Sequence, residues 1–273
     1  MTSTLRERAL QMLLVKDASL KAAGSRVLDP QGEVGAQALL AEPGGIPGRP
    51  VLPTLVAHTE LRQRSIHTVA GRAALIHALA HIELNAIDLA LDVCWRFAGM
   101  PDLFYRQWIG VAREEALHFE LLRDHLLTMG FRYGDFPAHG ALWEMAEKTR
   151  HDLLARLALV PRTLEARGLD ASPPMKARLI EAGDLRAGDI LDVILRDEIR
   201  HVAIGNHWYN MLCDQRGLDP VATYSHLAST YGAPRLRGPF NDEARRAAGF
   251  TELELLHLRE NQPRPRAGPL IRG

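Results

Sequence analysis

Glu115-Ala116-Leu117-His118 and Glu198-Ile199-Arg200-His201 each set a carboxylate and an imidazole three residues apart. On an α-helix, positions i and i+3 share a face, so each quartet presents both groups in one direction. One such pair means little, because Glu and His at this spacing are common on wet helix surfaces. The recurrence carries the information. Glu83 precedes Glu115 by 32 residues (115 − 83), and Glu165 precedes Glu198 by 33 (198 − 165). A Glu followed by Glu-x-x-His, repeated at nearly the same pitch, is the ligand set of a carboxylate-bridged dinuclear metal centre in a four-helix bundle. Four carboxylates and two imidazoles suit two first-row divalent ions, either two Fe, two Mn or one of each. Without metal, four facing carboxylates repel and some take up protons. In the expected arrangement Glu115 and Glu198 bridge, Glu83 and His118 terminate one ion, and Glu165 and His201 terminate the other.

Four long helices must position these residues. The first is predicted from about Arg72 to Phe97, with Ile76, Ala80, Glu83, Ala90 and Cys94 in one otherwise apolar row. A carboxylate in an apolar row is costly unless paired or bound to metal. Gly99-Met100-Pro101 turns the chain, and the second helix runs from about Pro101 to Met129 with Val111, Glu115, His118 and Leu122 on one face. Glu83 lies 16 residues before Gly99 (99 − 83) and Glu115 lies 15 after Met100 (115 − 100). An antiparallel pair therefore holds both carboxylates at one depth, roughly 23 Å from the turn at a rise of about 1.5 Å per residue. Gly130–Gly140 is long enough to cross the bundle end to end. The third helix is predicted from about Ala141, bent at Pro161 and closed by Gly168 just beyond Glu165, which leaves a solvated last-turn residue as the alternative to a ligand there. Pro173-Pro174 then opens a short helical piece ending near Gly183. A fourth long helix from about Leu185 to Arg216 carries Leu191, Ile194, Glu198, His201, Gly205 and Trp208 on one face.

The flanks read differently. Residues 3–23 are amphipathic through Leu5, Leu10, Leu13, Leu14 and Leu20. From Gly24 to Arg72, closely spaced Pro and Gly break any periodicity. This predicts an extended arm that buries Ile46, Val51, Leu52, Leu55 and Val56 on the bundle and partly closes the route to the metals, with a disordered linker as the alternative. Short helices are expected around Pro220–Ser229, Asp242–Ala248 and Glu252–Arg259, followed by a Pro- and Arg-rich tail. The chain divides into residues 1–71 (helix and arm), 72–217 (bundle) and 218–273 (short helices and tail).

Composition excludes several classes. The 273 residues carry 33 Lys+Arg and 33 Asp+Glu, so no global charge points to nucleic acid or a membrane surface. Cys94 and Cys213, the two cysteines, lack CxxC spacing, which argues against a disulfide scaffold and a thiolate zinc site. No apolar run approaches the ~20 residues of a membrane span, and no signal-peptide pattern opens the chain. A cytoplasmic protein is the expectation.

The strings His81-Ile82-Glu83-Leu84-Asn85-Ala86-Ile87-Asp88-Leu89-Ala90, Val160-Pro161-Arg162-Thr163-Leu164-Glu165-Ala166-Arg167-Gly168-Leu169-Asp170 and Asp197-Glu198-Ile199-Arg200-His201-Val202-Ala203-Ile204-Gly205 resemble a bacterial ferritin-like family of unassigned function. More distantly, the chain is similar to the diiron hydroxylases that modify tRNA. The resemblance covers about Leu61–Leu218. It implies an all-α, ferritin-like four-helix bundle with a dinuclear site at Glu83, Glu115, His118, Glu165, Glu198 and His201. It implies no substrate, because fold and site are shared among storage proteins, peroxidases, reductase subunits and oxygenases.

Other residues offer weaker candidate sites. His77 and His81 stand at i, i+4, but no H-E-x-x-H accompanies them, and packing histidines are the simpler reading. Asp88, Asp92, Glu114 and Asp197 flank the candidate ligands; one or two could orient metal-bound imidazoles, with solvated surface charge as the equal alternative for each. Trp95, Trp108 and Trp208 read as core. The basic end (Arg259, Arg264, Arg266, Arg272) could touch RNA, though a solvated end is the simpler reading. The leading function is an oxidoreductase that uses O2 or peroxide on a small-molecule or macromolecular substrate. As an oxygenase it would need an electron donor; a homodimer is compatible. Iron oxidation and storage, or tRNA hydroxylation, are the alternatives. A metal-free interaction module leaves the duplicated ligand register unexplained.

Overall fold

The structure is a computed structural model and describes residues 3–62 and 64–262. The chain folds as an all-α bundle, and among the described residues the only β pairing is an isolated bridge between Leu55 and Ala138. Its central pair is α3 (Val69–Arg96) and α4 (Asp102–Thr128), joined at Gly99, whose φ of 84° suits a residue without a Cβ. Thr68 caps α3 by accepting the Gly71 N–H at 3.1 Å. By length and composition α3 could cross a membrane, yet most of its apolar window is buried inside the protein. It also carries three buried carboxylates, Glu83, Asp88 and Asp92.

Two of those carboxylates hold the bundle together. Asp92 accepts from Arg96 on its own helix and from the fully buried Arg156. Arg156 also donates to the Ala146 carbonyl at 2.6 Å and to Thr149 Oγ1 at 2.9 Å. It thereby fills the corner between α5 (Ala141–Lys148) and α6 (Leu153–Leu159). That corner divides what the sequence predicts as one helix, and Asp152 restarts it by capping Ala155 N–H. Asp88 pairs with Lys21 of α2 (Ala18–Arg26), whose ammonium also donates to the Gly48 carbonyl at 2.8 Å. Buried charges persist when paired and hydrogen-bonded in this way.

The N-terminal stretch is two helices rather than one. α1 (Leu5–Leu13) ends before Asp17, which accepts the Leu20 N–H and starts α2 on a new axis. Leu20 is consequently exposed. The arm lies against the bundle, but backbone hydrogen bonds hold it rather than most of the side chains expected to be buried. Arg6 donates to the Gly35, Ala36 and Ala38 carbonyls, Gly48 N–H to Leu13, and Val56 N–H to Ala138. Ile46 packs on the core, whereas Val51 is 96% exposed and Leu52 is 55% exposed. Between residues 49 and 55 the arm borders a cleft floored by His81, Leu84, Asn85 and Asp88. Those positions lie roughly 100–200° around α3 from Glu83 at about 100° per residue. This part of the arm therefore covers the face of α3 that points away from Glu83.

The third long element runs without interruption from α6 through a π turn (Val160–Glu165) into α7 (Ala166–Glu181). Gly168 does not close a helix, and Pro173 and Pro174 lie inside α7 rather than opening a new piece. Proline removes the donor for the carbonyl four residues earlier. For Pro173 that carbonyl is Leu169, which accepts from Asn241 Nδ2 at 3.1 Å. Gly183, with φ 85°, makes the actual turn, and Asp184 caps α8 (Leu185–Gln215). Three short helices, α9 (Pro220–Thr230), α10 (Asp242–Ala247) and α11 (Glu252–Glu260), complete the described chain.

Candidate metal centre

α3, α4 and α8 bring five of the six expected ligands into direct contact, buried in the bundle. Nδ1 of His118 lies 3.3 Å from Glu83 Oε2 and 3.2 Å from Glu115 Oε2. Nδ1 of His201 lies 2.8 Å from Glu115 Oε1 and 3.9 Å from Glu198 Oε2. Glu115 thus reaches both imidazoles, whose ring centroids are 5.9 Å apart. One ligand atom from each of Glu83, Glu115, His118 and Glu198 falls within 4.8 Å of the others, a group that could hold a metal ion. Glu165, at the end of the π turn, stands outside that group but within electrostatic reach of Glu115, His201 and Glu83. Ala80, Ala112, Leu122 and Ile194, each about one turn from a ligand, are buried and wall the site with hydrocarbon.

Each imidazole is held from behind by the carboxylate that precedes the glutamate of the facing helix. Asp197 meets His118 Nε2 at 3.2 Å, and Glu114 meets His201 Nε2 at 2.7 Å. A carboxylate accepting Nε2–H leaves the Nδ1 lone pair for a metal and fixes the ring. Asp197 and Glu114 are themselves paired with Arg196 and Arg200. The same antiparallel register continues to Trp208, whose Nε1 donates to Gln107 at 2.8 Å. Asp88 and Asp92 flank the ligands in sequence only, since their partners are Lys21, Arg96 and Arg156.

The charges are those of a group that could hold a cation. Burial, and then the charge of Glu115, push Glu83 up to about 8. The same two causes push Glu165 up to about 8 and Glu198 well above the carboxylate range. Burial opposes ionisation of Glu115 as well, but His201 and His118 outweigh it and hold Glu115 below the usual range. For the imidazoles burial acts downward. Asp197, Glu115 and Glu83 nonetheless hold His118 well above its ordinary value, and Glu115 and Glu114 hold His201 at about 10. Among the described residues, Glu115 Oε1, Glu165 Oε2, Glu198 Oε2 and His201 Nδ1 are buried without a hydrogen-bond partner. Glu115 Oε1 and His201 Nδ1 are close but not aligned as a hydrogen bond. Orphaned buried oxygens are costly, and divalent cations facing them would satisfy the set.

The π turn that delivers Glu165 is fixed by contact with α8. Pro161 sits on Gly205, one turn beyond His201, where an added Cβ would lie 2.5 Å from the proline Cβ. Thr163 Oγ1 donates to the Ala158 carbonyl at 2.8 Å, five residues back, across the widened turn. Overpacking of this kind costs about 1–3 kcal/mol. Gly205→Ala is therefore expected to lower unfolding free energy by that amount in urea titrations; an unchanged midpoint would show that the π turn is not wedged there.

The remaining candidates have structural partners. His77 Nε2 accepts the Gly134 N–H at 2.9 Å, and His81 contacts Tyr133 and the His139 carbonyl. Burial pushes both histidines down to about 4, so they are neutral packing groups. Trp95, Trp108 and Trp208 are core residues, and both cysteines are buried and free. Arg259 pairs with Asp242, while Arg264, Arg266 and Arg272 lie outside the described residues.

A family described as "Protein of unknown function (DUF455)" matches residues 9–256, which include all six candidate ligands. An uncharacterized protein of Haemophilus influenzae (strain ATCC 51907 / DSM 11121 / KW20 / Rd) is 50% identical over 213 residues, 76% of this chain and 74% of that protein. No solved structure matches the chain. On the extent of the family match and this relative, the chain belongs to the DUF455 family of unknown function.

Proposed function

We propose that this protein is a dinuclear-metal oxidoreductase of ferritin-like type, binding two Fe or Mn ions through Glu83, Glu115, His118, Glu165, Glu198 and His201. The observation that carries the reading is Glu115, which presents one oxygen to each of two buried imidazole Nδ1 atoms. That is the placement of a bridging ligand, with Glu83 and His118 on one side and His201 and Glu165 on the other. Such a metal pair, when bound, supplies redox chemistry with O2 or peroxide. The chain's own part is positional and electrostatic. Asp197 and Glu114 hold the imidazoles with Nδ1 inward, and the protonatable Glu83, Glu165 and Glu198 keep the metal-free centre from carrying four unbalanced negative charges. The hydrocarbon walls exclude water from the centre.

Elemental analysis of anaerobically purified protein tests the reading directly. About two Fe or Mn ions per chain are expected, together with an optical change on adding O2 that one electron donor or substrate then reverses. Protein reconstituted with either metal that retains fewer than two ions per chain would sink the proposal. A native mass corresponding to a closed multi-subunit shell would favour iron storage instead.

A further inference from the structure

The four-residue cluster lies on three regular α-helices, whereas Glu165 is delivered by a π turn. The turn widens the helix by one residue, and its register decides whether Glu165 faces the centre. Three residues before Glu165 stands Arg162, which points the other way and is only 3% exposed. Its guanidinium pairs with Glu254 of α11 and donates to Asn206 Oδ1 of α8 at 2.9 Å. It also stacks on Tyr209, Phe250 and Tyr224, with 4.8, 4.9 and 5.6 Å to the ring centroids. Glu254 does two things, since its second oxygen accepts the Thr251 N–H at 2.7 Å and caps α11. Asn206 in turn donates to the Ala248 carbonyl at 2.7 Å. A planar fork held on charge, amide and ring faces fixes both the position and the rotation of the residue that carries it. The π turn is thus gripped from outside by the C-terminal helices, while Pro161 wedges it against α8 from within.

We infer that Arg162 and Glu254 are positioning residues for the second metal ion, the C-terminal helices setting the π-turn register that aims Glu165 at the centre. The inference rests on the dinuclear reading above. It assigns residues 218–260 a role in metal binding although none of them touches the centre. It also makes the two ions unequal. The ion between His118, Glu83, Glu115 and Glu198 needs only the α-helices, whereas the ion at His201 and Glu165 needs the clamp.

The test is titration of the full-length metal-free chain with Mn(II), following loss of the free-ion EPR signal, in wild type, Arg162→Met, Glu254→Gln and Lys21→Met. Wild type is expected to take two ions. Arg162→Met and Glu254→Gln should keep one ion at wild-type affinity and weaken the other about 10–100-fold, the usual effect of removing a residue that orients a ligand. Lys21→Met breaks a buried pair behind α3 and should lower the thermal midpoint while leaving both ions unchanged. Should Arg162→Met fail to fold, Glu254→Gln, which keeps an oxygen for the guanidinium, decides alone. Two ions at wild-type affinity in the clamp variants overturn the inference and leave the dinuclear reading standing. Parallel weakening of both ions, or the same change in Lys21→Met, also overturns it, because the clamp would then act only through stability. Fewer than two ions in wild type overturn the dinuclear reading and this inference with it.

Discussion

Glu115→Ala is expected to lose both metal ions, whereas Asp197→Ala should keep two ions and bind one of them more weakly. The two oxygens of Glu115 lie 3.2 and 2.8 Å from the two imidazole nitrogens that face the centre, and among the described residues no other carboxylate meets both. Its removal takes a ligand from each ion at once. It also removes the one carboxylate among the candidate ligands that His118 and His201 hold in its ionised form. Asp197 touches only the far nitrogen of His118. Its loss frees the ring and tautomer without deleting a ligand, a change worth about 10–100-fold in affinity. Metal content after gel filtration, with circular dichroism to confirm folding, separates the two variants. Equal retention in both would contradict the bridging role of Glu115.

Metal-free and metal-loaded protein should respond to pH with opposite signs. In the metal-free chain burial and the charge of Glu115 push Glu83 and Glu165 up to about 8, and, against burial, Glu115 and Glu114 hold His201 at about 10, each above its ordinary value. A group raised on folding stabilises the native state below its unfolded pKa, and that contribution disappears as pH rises through the folded pKa. The carboxyl contribution is thus lost between about pH 4.5 and 8, and the His201 contribution between about 6.5 and 10. Glu115, the depressed group, is ionised in both states throughout this range and adds no slope. The urea midpoint of metal-free protein should therefore fall from pH 6 to pH 9. Metal binding displaces the protons of three carboxyls (Glu83, Glu165, Glu198) and two imidazoles (His118, His201), as many as five in all. Affinity should then rise by at least ~100-fold from pH 6 to pH 8. The stabilisation conferred by metal grows with it. A metal-free midpoint that climbs over this range, or metal affinity independent of pH, would show that these groups do not form one coupled centre.

The long helices and the clustering of five of the six candidate ligands were legible because both are periodic. Apolar rows at helical spacing fixed α3, α4 and α8 to within a few residues. Glu83, Glu115, His118, Glu198 and His201 share the faces those rows bury, so spacing alone brought them together. The placement of Glu165 was not legible in the same way. Pro161 and Gly168 suggest a helix about to end, and only the neighbours of this segment keep it helical. Gly205 leaves room for the proline, Thr163 answers Ala158, and Asn241 takes the Leu169 carbonyl that Pro173 leaves free. These partners lie roughly 40–70 residues away or across a non-standard turn, where local propensity carries no signal.

Composition also misled at the arm. Its apolar residues suggested burial, but Pro and Gly make its backbone the part that finds partners, leaving Val51 and Leu52 in solvent. Second-ligand support followed the same division. Asp88, Asp92, Glu114 and Asp197 were equivalent candidates by sequence, because each lies near a ligand along the chain. Tertiary packing chose Glu114 and Asp197, since a residue preceding a ligand glutamate is turned about 100° from it and so meets the facing helix. Asp88 and Asp92 point instead at buried cations that sequence position could not reveal, Lys21 and Arg156. The chain's sequence therefore determined which side chains gather at the candidate centre; the π turn that carries Glu165 was decided by tertiary packing, because its partners Gly205, Asn206 and Glu254 lie on segments distant along the chain.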